Sequence, residues 1–453
     1  MGKISGKLEE IFVIPDDNNR FLIYGPKQGA FIRANSEVVN TLKRINSGED
    51  SDRINPEIVE MLARNHLLEE HRPTKTPEDF SYNPTSVTLL PTYGCNLRCV
   101  YCYARAGEDI GQNMTPELAH RSIDLILDNA EEKGAKYVHL GFHGGGEPFT
   151  AFPLVQEAVR YFNEHTKNKK FKKNIGAVTN GVIGPDRLKW IVNNFSNLAI
   201  SIDGTEAIQN RQRPKADGKG SFEDVTKTIK YLEDQHFNYS IRATVTQESV
   251  KHMSEIVEFF SSISSNKVFQ LEPLFECGRC NTTKESAPDP REYVENLLKA
   301  RTIGRQLGKE VSYSGASLNR LGEHFCGSTQ DNFFVAPNGI ATTCLESCRE
   351  GDELSEIFQI GRYDSEKHKF VFYPERIKRL RESKVSSMDS CKDCFAKWNC
   401  SGDCRAKNCA QCGSINDTTK NKRCFPNTAL LLSDLLSRFG ETPDIDYLER
   451  RLK

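Results

Sequence analysis

The stretch "LLPTYGCNLRCVYCYA", Leu89–Ala104, sets Cys95, Cys99 and Cys102 in a C-x3-C-x2-C array directly after an apolar run. Thiolates at i, i+4 and i+7 reach one centre only if the chain wraps round it as a loop. Structural zinc more often takes two C-x2-C hooks that supply four ligands. Three thiolates suit a [4Fe–4S] cluster and leave one iron for an outside ligand. Spacing alone leaves both metals open.

The strand-then-loop pattern of this stretch recurs downstream. Apolar runs end in polar or glycine-rich loops at "SVTLLPTYGCN", "KYVHLGFHGGGEP", "KNIGAVTNG", "NLAISIDG", "FNYSIRATVT" and "KVFQLEPLF", with amphipathic segments such as "TPELAHRSIDLILDNAEEKG" between them. Repeated strand–helix units predict a parallel sheet. Polar motifs at every strand C-terminus point to a barrel or partial barrel, whose chemistry sits at that end. Upstream, "EIFVIPDDNNRFLIYGPKQGAFIRA" reads as two or three short strands. Two helices follow: "SEVVNTLKRINSG", opened by Ser36 and closed by Gly48, and "NPEIVEMLARNHLLEE", capped by Asn55 with Pro56 at its first position. "HRPTKTPEDFSYNPT" reads as a linker. Past residue 280 come a helical stretch over roughly 288–308, cysteine-rich loops to about 425, and a last helix at "NTALLLSDLLSRFG". The expected division is a module at 1–80, a barrel at 85–280, a bridging region at 281–320, a cysteine-rich domain at 321–430 and a terminal helix at 431–453.

The 453 residues carry a formal net charge of −1, which gives no electrostatic case for nucleic acid or an anionic membrane. No apolar run approaches the ~20 residues of a membrane span, and the first residues lack a secretory signal. The expectation is a cytoplasmic protein. In a reducing compartment, fifteen cysteines with short regular spacings point to metal rather than disulfides. An isolated cysteine defaults to a small buried hydrophobe.

Other motifs stand at the strand ends: "GGEP" (Gly145, Gly146, Glu147, Pro148), "TNG" from Thr179 and Asn180, and "SIDG" from Ser201, with Arg213 twelve residues after Ser201. With the three-cysteine loop and Tyr101 before its third thiol, this set resembles the radical S-adenosylmethionine (SAM) family. The resemblance implies an α/β fold built on a partial (β/α)6 barrel. It also implies a cluster held by Cys95, Cys99 and Cys102, whose free iron binds the amino and carboxylate groups of SAM. Gly145, Gly146 and Glu147 then meet the SAM ammonium, and Ser201 and Arg213 hold its carboxylate; Tyr101, Thr179 and Asn180 complete the pocket. Arg242 is a lower-ranked second arginine. Relatives often carry His-Asp where this chain has Gln209 and Asn210.

Cys326, Gly339 and Cys344, then Cys391, Cys394, Cys400 and Cys404 in C-x2-C-x5-C-x3-C, then Cys424, resemble the SPASM extension of peptide-modifying members. That likeness implies two auxiliary [4Fe–4S] clusters, for three in all. Cys391, Cys394, Cys400 and Cys424 would hold the distal one; Cys326, Cys344 and Cys404 would hold the barrel-proximal one. Its fourth ligand is left to Cys348, to the pair Cys277/Cys280, or to an open iron. Cys409 and Cys412 could compete with Cys424, and zinc remains an alternative for this field. Residues 1–80 resemble, by pattern only, the winged-helix-like element that binds leader peptides by adding a strand to a sheet edge; a generic docking domain is the alternative.

The resemblance thus implies a maturase that makes a 5′-deoxyadenosyl radical and installs a thioether or carbon–carbon crosslink in a ribosomally made precursor peptide with an N-terminal leader. An electron donor such as flavodoxin or ferredoxin would serve it. Alternatives are a sulfatase-maturing, formylglycine-generating enzyme and a nonenzymatic iron–sulfur carrier or scaffold. No catalytic acid or base is assigned; a strand-end histidine such as His139 or His143 is more often structural.

Overall fold

The computed structural model describes residues 10–48, 55–69, 81–108 and 112–452; the first nine residues and most of the expected linker lie outside them. The chain forms two compact units: 1–79 with 315–325 and 383–453, and 80–314 with 326–382. The range 321–430 is thus divided between them, and residues 1–79 share a unit with the C-terminal region.

In the first unit, strands β1 (Phe12–Pro15), β2 (Arg20–Gly25) and β3 (Ala30–Asn35) form an antiparallel sheet in the order β1-β2-β3. Asn18 and Asn19 make the tight β1–β2 turn at φ 58° and 57°, a region that asparagine tolerates. The helix Ser36–Asn46 starts straight from β3, so its cap is Asn35 rather than Ser36: Asn35 is still extended and its side chain accepts from Val38 N at 3.1 Å. Asn55 caps the helix Pro56–Arg64. This helix stops at Arg64, short of the expected "LLEE", where His66 takes a left-handed φ of 61°. Val38, Val39, Leu42, Ile45, Ile58 and Leu62 bury against Ile23, Ala30 and Ala34. The same unit contributes the helix Cys424–Ser437, which begins three residues before the expected "NTALLL", and an unforeseen amphipathic helix, Ile445–Leu452. Tyr24 Oη donates to Asn399 Oδ1 at 2.8 Å, Arg33 forms a bidentate pair with Glu441, and the Phe31 and Phe439 rings lie 4.9 Å apart.

The second unit holds one sheet of eleven strands. The six expected strands are β4 (Ser86–Leu89), β5 (Tyr137–Phe142), β6 (Lys172–Thr179), β7 (Asn197–Ser201), β8 (Tyr239–Val245) and β9 (Val268–Pro273), each parallel to the next. β10 (Glu310–Ser312) extends the parallel ladder beyond β9 and β11 (Phe334–Val335) beyond β4. An antiparallel meander of β11, β12 (Ile340–Thr342), β13 (Gln359–Asp364) and β14 (Lys369–Phe372) ends the sheet. Its end strands are β10 and β14, so the arc is open, a partial barrel. Along β5, β7 and β8 the apolar residues alternate: Val138, Leu140 and Phe142, Leu198 and Ile200, Ile241, Ala243 and Val245 are buried. The opposite face carries His139, Asn197, Ser201 and Arg242. Period two therefore gives one apolar face and one polar face, and parallel pairing brings the strand C-termini to one end. No helix among the described residues is long and apolar enough to cross a membrane.

Candidate active site

The loop after β4 carries the three clustered cysteines, all half-buried. Its course is fixed by the loops after the neighbouring strands. After β5, Gly146 lies so close to this loop that a Cβ there would stand 2.0 Å from the Gly94 carbonyl oxygen. Glu147 N donates to that same oxygen at 2.9 Å. The close approach that needs this glycine is therefore to the backbone before Cys95. Gly145 sits at φ 90°, where a side chain is strained.

After β6, Thr179 Oγ1 and Asn180 N donate to the two Glu147 carboxylate oxygens, both at 2.8 Å, and Phe149 N adds a third bond at 3.3 Å. Glu147 is 3% exposed, and burial raises its pKa. Asn180 Nδ2 turns to the cysteine loop, donating to Asn96 Oδ1 at 2.8 Å and to Cys95 Sγ at 3.7 Å. Leu97 N and Ala106 N point at Cys95 Sγ and Cys102 Sγ, each at 3.4 Å.

After β7, Asp203 organises a buried network that the motif "SIDG" contains but sequence reasoning left unassigned. Its carboxylate accepts from Tyr101 Oη, from Gln212 Nε2 at 2.8 Å and from Thr244 N at 3.0 Å. Tyr101 Oη in turn accepts from Arg213 Nη1 at 2.8 Å. Gln209 closes the turn, accepting from Asp203 N at 2.9 Å and donating to Ser221 Oγ at 2.9 Å, while Asn210 accepts from Phe222 N. The departure from His-Asp has a structural role here. Ser201 and Arg242 are register partners on β7 and β8. Arg242 is exposed; burial, with a smaller push from Arg242, holds His143 down to about 4, so that ring is neutral. His143 Nδ1 accepts from Gly144 N at 2.5 Å, which leaves the proton on Nε2. His139 bonds Asn174 at 2.8 Å.

A strap after β9 locks the other side of the cysteine loop. Arg279 donates through Nη1 to Cys99 O at 2.8 Å and through Nη2 to Ala106 O at 2.7 Å, and its backbone N to Cys102 O at 3.0 Å. Cys280 is buried beside Tyr101 and Cys99. No expectation attached a role to Arg279; a lone arginine in "ECGRC" carries no local signal.

The donor set fits an iron–sulfur cluster. Burial, then Glu147, pushes the Cys95 thiol up to about 11; burial pushes Cys99 up to about 12, with Cys102 and Cys95 adding to it against the pull of Arg213. Such thiols ionise together only around cationic metal. Arg213 Nε is buried without a hydrogen-bond partner, an orphaned donor suited to an anionic group such as a carboxylate.

In the first unit, Cys391, Cys394, Cys400 and Cys424 line one cavity of about 260 Å³ with Lys397, Asp403, Thr418 and Asn427. Among the described residues no three His, Cys, Asp or Glu side chains converge on a single-ion site. Of the second auxiliary set, Cys326, Cys344 and Cys348 belong to one compact unit and Cys404 to the other. Cys326 is exposed, Cys344 half-buried, and Cys348 buried among Leu90, Tyr93, Ala336 and Ile340.

Residues 89–260 match the family described as the radical SAM superfamily. The mycofactocin maturase MftC of Mycobacterium tuberculosis is 30% identical over 332 residues, 71% of this chain and 78% of that protein. The cysteine-type anaerobic sulfatase-maturating enzyme of Clostridium novyi is 27% identical over 214 residues, 45% of this chain, and the match spans 55% of its length. The solved structure of native anSMEcpe with bound AdoMet superposes with a TM-score of 0.60 at 20% identity, covering 78% of this chain and 98% of that one.

Proposed function

This chain belongs to the radical SAM superfamily, and we propose that within it the protein is a peptide maturase that crosslinks a ribosomally made precursor peptide through a thioether or carbon–carbon bond. Its cofactors are SAM and [4Fe–4S] clusters, which when bound supply the 5′-deoxyadenosyl radical that takes hydrogen from a substrate carbon. The observation that carries the reading is the bolting of the three-cysteine loop to Glu147, Thr179 and Asn180 on one side and to the Tyr101–Asp203–Arg213 network on the other. In this reading Cys95, Cys99 and Cys102 hold the first cluster. Glu147 faces the SAM ammonium across Gly145 and Gly146, and Arg213 Nε with Ser201 receives its carboxylate. Cys391, Cys394, Cys400 and Cys424 hold the distal auxiliary cluster.

The N-terminal sheet supports a leader-binding role. β3 packs on Phe439 and Glu441, whereas β1 is an end strand beside a groove of about 1080 Å³ lined by Ile11–Pro15, Met388, Asp389 and Lys392. An extended leader would add to β1 through backbone hydrogen bonds. Reductant would come from a flavodoxin or ferredoxin. The anaerobically reconstituted protein, given SAM, reductant and a full-length precursor peptide, should form 5′-deoxyadenosine while the peptide loses two hydrogens per crosslink, read by mass spectrometry. SAM cleavage with the peptide unchanged would overturn the reading. Conversion of a cysteine or serine to formylglycine would establish the second reading, which the 27% identity to the cysteine-type anaerobic sulfatase-maturating enzyme favours.

A further inference from the structure

Asn427 stands on the helix Cys424–Ser437, one turn after Cys424, and is 1% exposed. Its Oδ1 accepts from Ala316 N at 3.2 Å, and its Nδ2 donates to Cys400 Sγ at 3.3 Å. The two contacts assign the amide: a backbone N–H can only face the carbonyl oxygen, so the NH2 group must face the sulfur. Opposite it, Thr418 Oγ1 lies 3.5 Å from Cys391 Sγ, and Thr418 is 6% exposed. Behind, the buried carboxylate of Asp403 is neutralised by Arg423 at 2.9 Å and accepts from Asn421 Nδ2 at 3.0 Å. A carboxylate that could repel an incoming electron is thus compensated, while a dipole is aimed at a ligand sulfur.

We propose that Asn427 sets the reduction potential of the cluster held by Cys391, Cys394, Cys400 and Cys424, raising it so that this cluster accepts an electron more readily. The proposal rests on the reading of these four cysteines as a cluster site. Reduction increases the negative charge on the sulfurs, and a buried N–H directed at one of them stabilises the reduced form more than the oxidised form. Asn427 touches sulfur but no reacting atom, so it is a positioning residue.

The test is an anaerobic redox titration followed by electron paramagnetic resonance, with iron and sulfide counted, on the full chain and on Asn427→Leu and Asn427→Asp. Leu removes the donor at similar volume. Asp keeps an acceptor for Ala316 N but turns the donor into a negative oxygen. One of the cluster potentials should shift negative in the Leu variant and further negative in the Asp variant, with iron content as in the parent and the other potentials unmoved. Identical potentials in all three proteins would overturn the proposal. So would loss of the cluster from both variants, which would make Asn427 a structural prop. If changing the four cysteines to Ala leaves the iron content of the parent unaltered, the cluster reading itself fails.

Discussion

Gly146→Ala tests the geometry on which the candidate site depends. Its Cβ would lie 2.0 Å from Gly94 O and 2.8 Å from the carbonyl carbons of Gly94 and Tyr93, all backbone atoms that no side-chain rotation can clear. Restoring an ordinary contact of about 3.2 Å means moving one loop past the other by roughly 1.2 Å. That motion breaks the bond from Glu147 N to Gly94 O, now 2.9 Å, and displaces Cys95, the next residue. Overpacking costs about 1–3 kcal/mol and the lost hydrogen bond about 1 kcal/mol, so the unit should lose about 2–4 kcal/mol. Metal–ligand distances tolerate only about ±0.2 Å, so a shift of this size should also empty the first cluster. The assay is iron content and the paramagnetic signal of the reduced protein with and without SAM, beside thermal unfolding. Gly184→Ala is the control, since nothing lies within 4 Å of its added carbon. Full iron content and an unaltered SAM-dependent signal in the Gly146 variant would refute the reasoning.

Glu147→Gln should weaken SAM binding roughly 10- to 100-fold, from the 1.5–3 kcal/mol of a charge-assisted bond, with cluster content kept; equilibrium binding to the reconstituted protein decides, and unchanged affinity would reduce Glu147 to its bonds with Thr179, Asn180 and Phe149. Replacing Cys391, Cys394, Cys400 and Cys424 by Ala should remove about one third of the iron; zinc in place of iron at that site in the parent would refute the auxiliary cluster. His143 is held down to about 4, below its ordinary 6.5, so the unfolded chain takes up this proton first. Stability then falls as pH drops from about 6.5 toward 4, and His143→Gln should flatten the change between pH 7.5 and 5.5 by about 1 kcal/mol in chemical denaturation. Deleting residues 1–80 should lower iron content as well as peptide processing, because Tyr24 and Glu10 bond Asn399 and Lys397 beside Cys400; full iron in the truncated protein would show that the cysteine segment folds without them.

The six central strands were legible because each combines a period-two apolar run with a polar loop, and both signals are local. β10 and β11 span three and two residues, too few for any period, and their places are set by the neighbours they extend. The same distinction runs through the site. Cys95, Cys99, Cys102 and the "GGEP" run declare themselves by spacing, yet the reason for Gly146 is hidden, since its close partner is Gly94, fifty-two residues earlier. Asp203 was in plain view within "SIDG", but its role depends on Tyr101, 102 positions away. The polar stretch after residue 70 reads as a linker that closes off a module at 1–80, whereas Tyr24 finds its partner in Asn399, 375 positions on. In each case the residue type was readable and the partner was not. A composition-based boundary reports where the chain is polar; a compact unit is decided by which apolar faces close on each other. The two disagree here because the N-terminal sheet and helices, whose apolar cluster is their own, are tied to the C-terminal region by partners far away in sequence: Tyr24 with Asn399, Arg33 with Glu441 and Phe31 with Phe439.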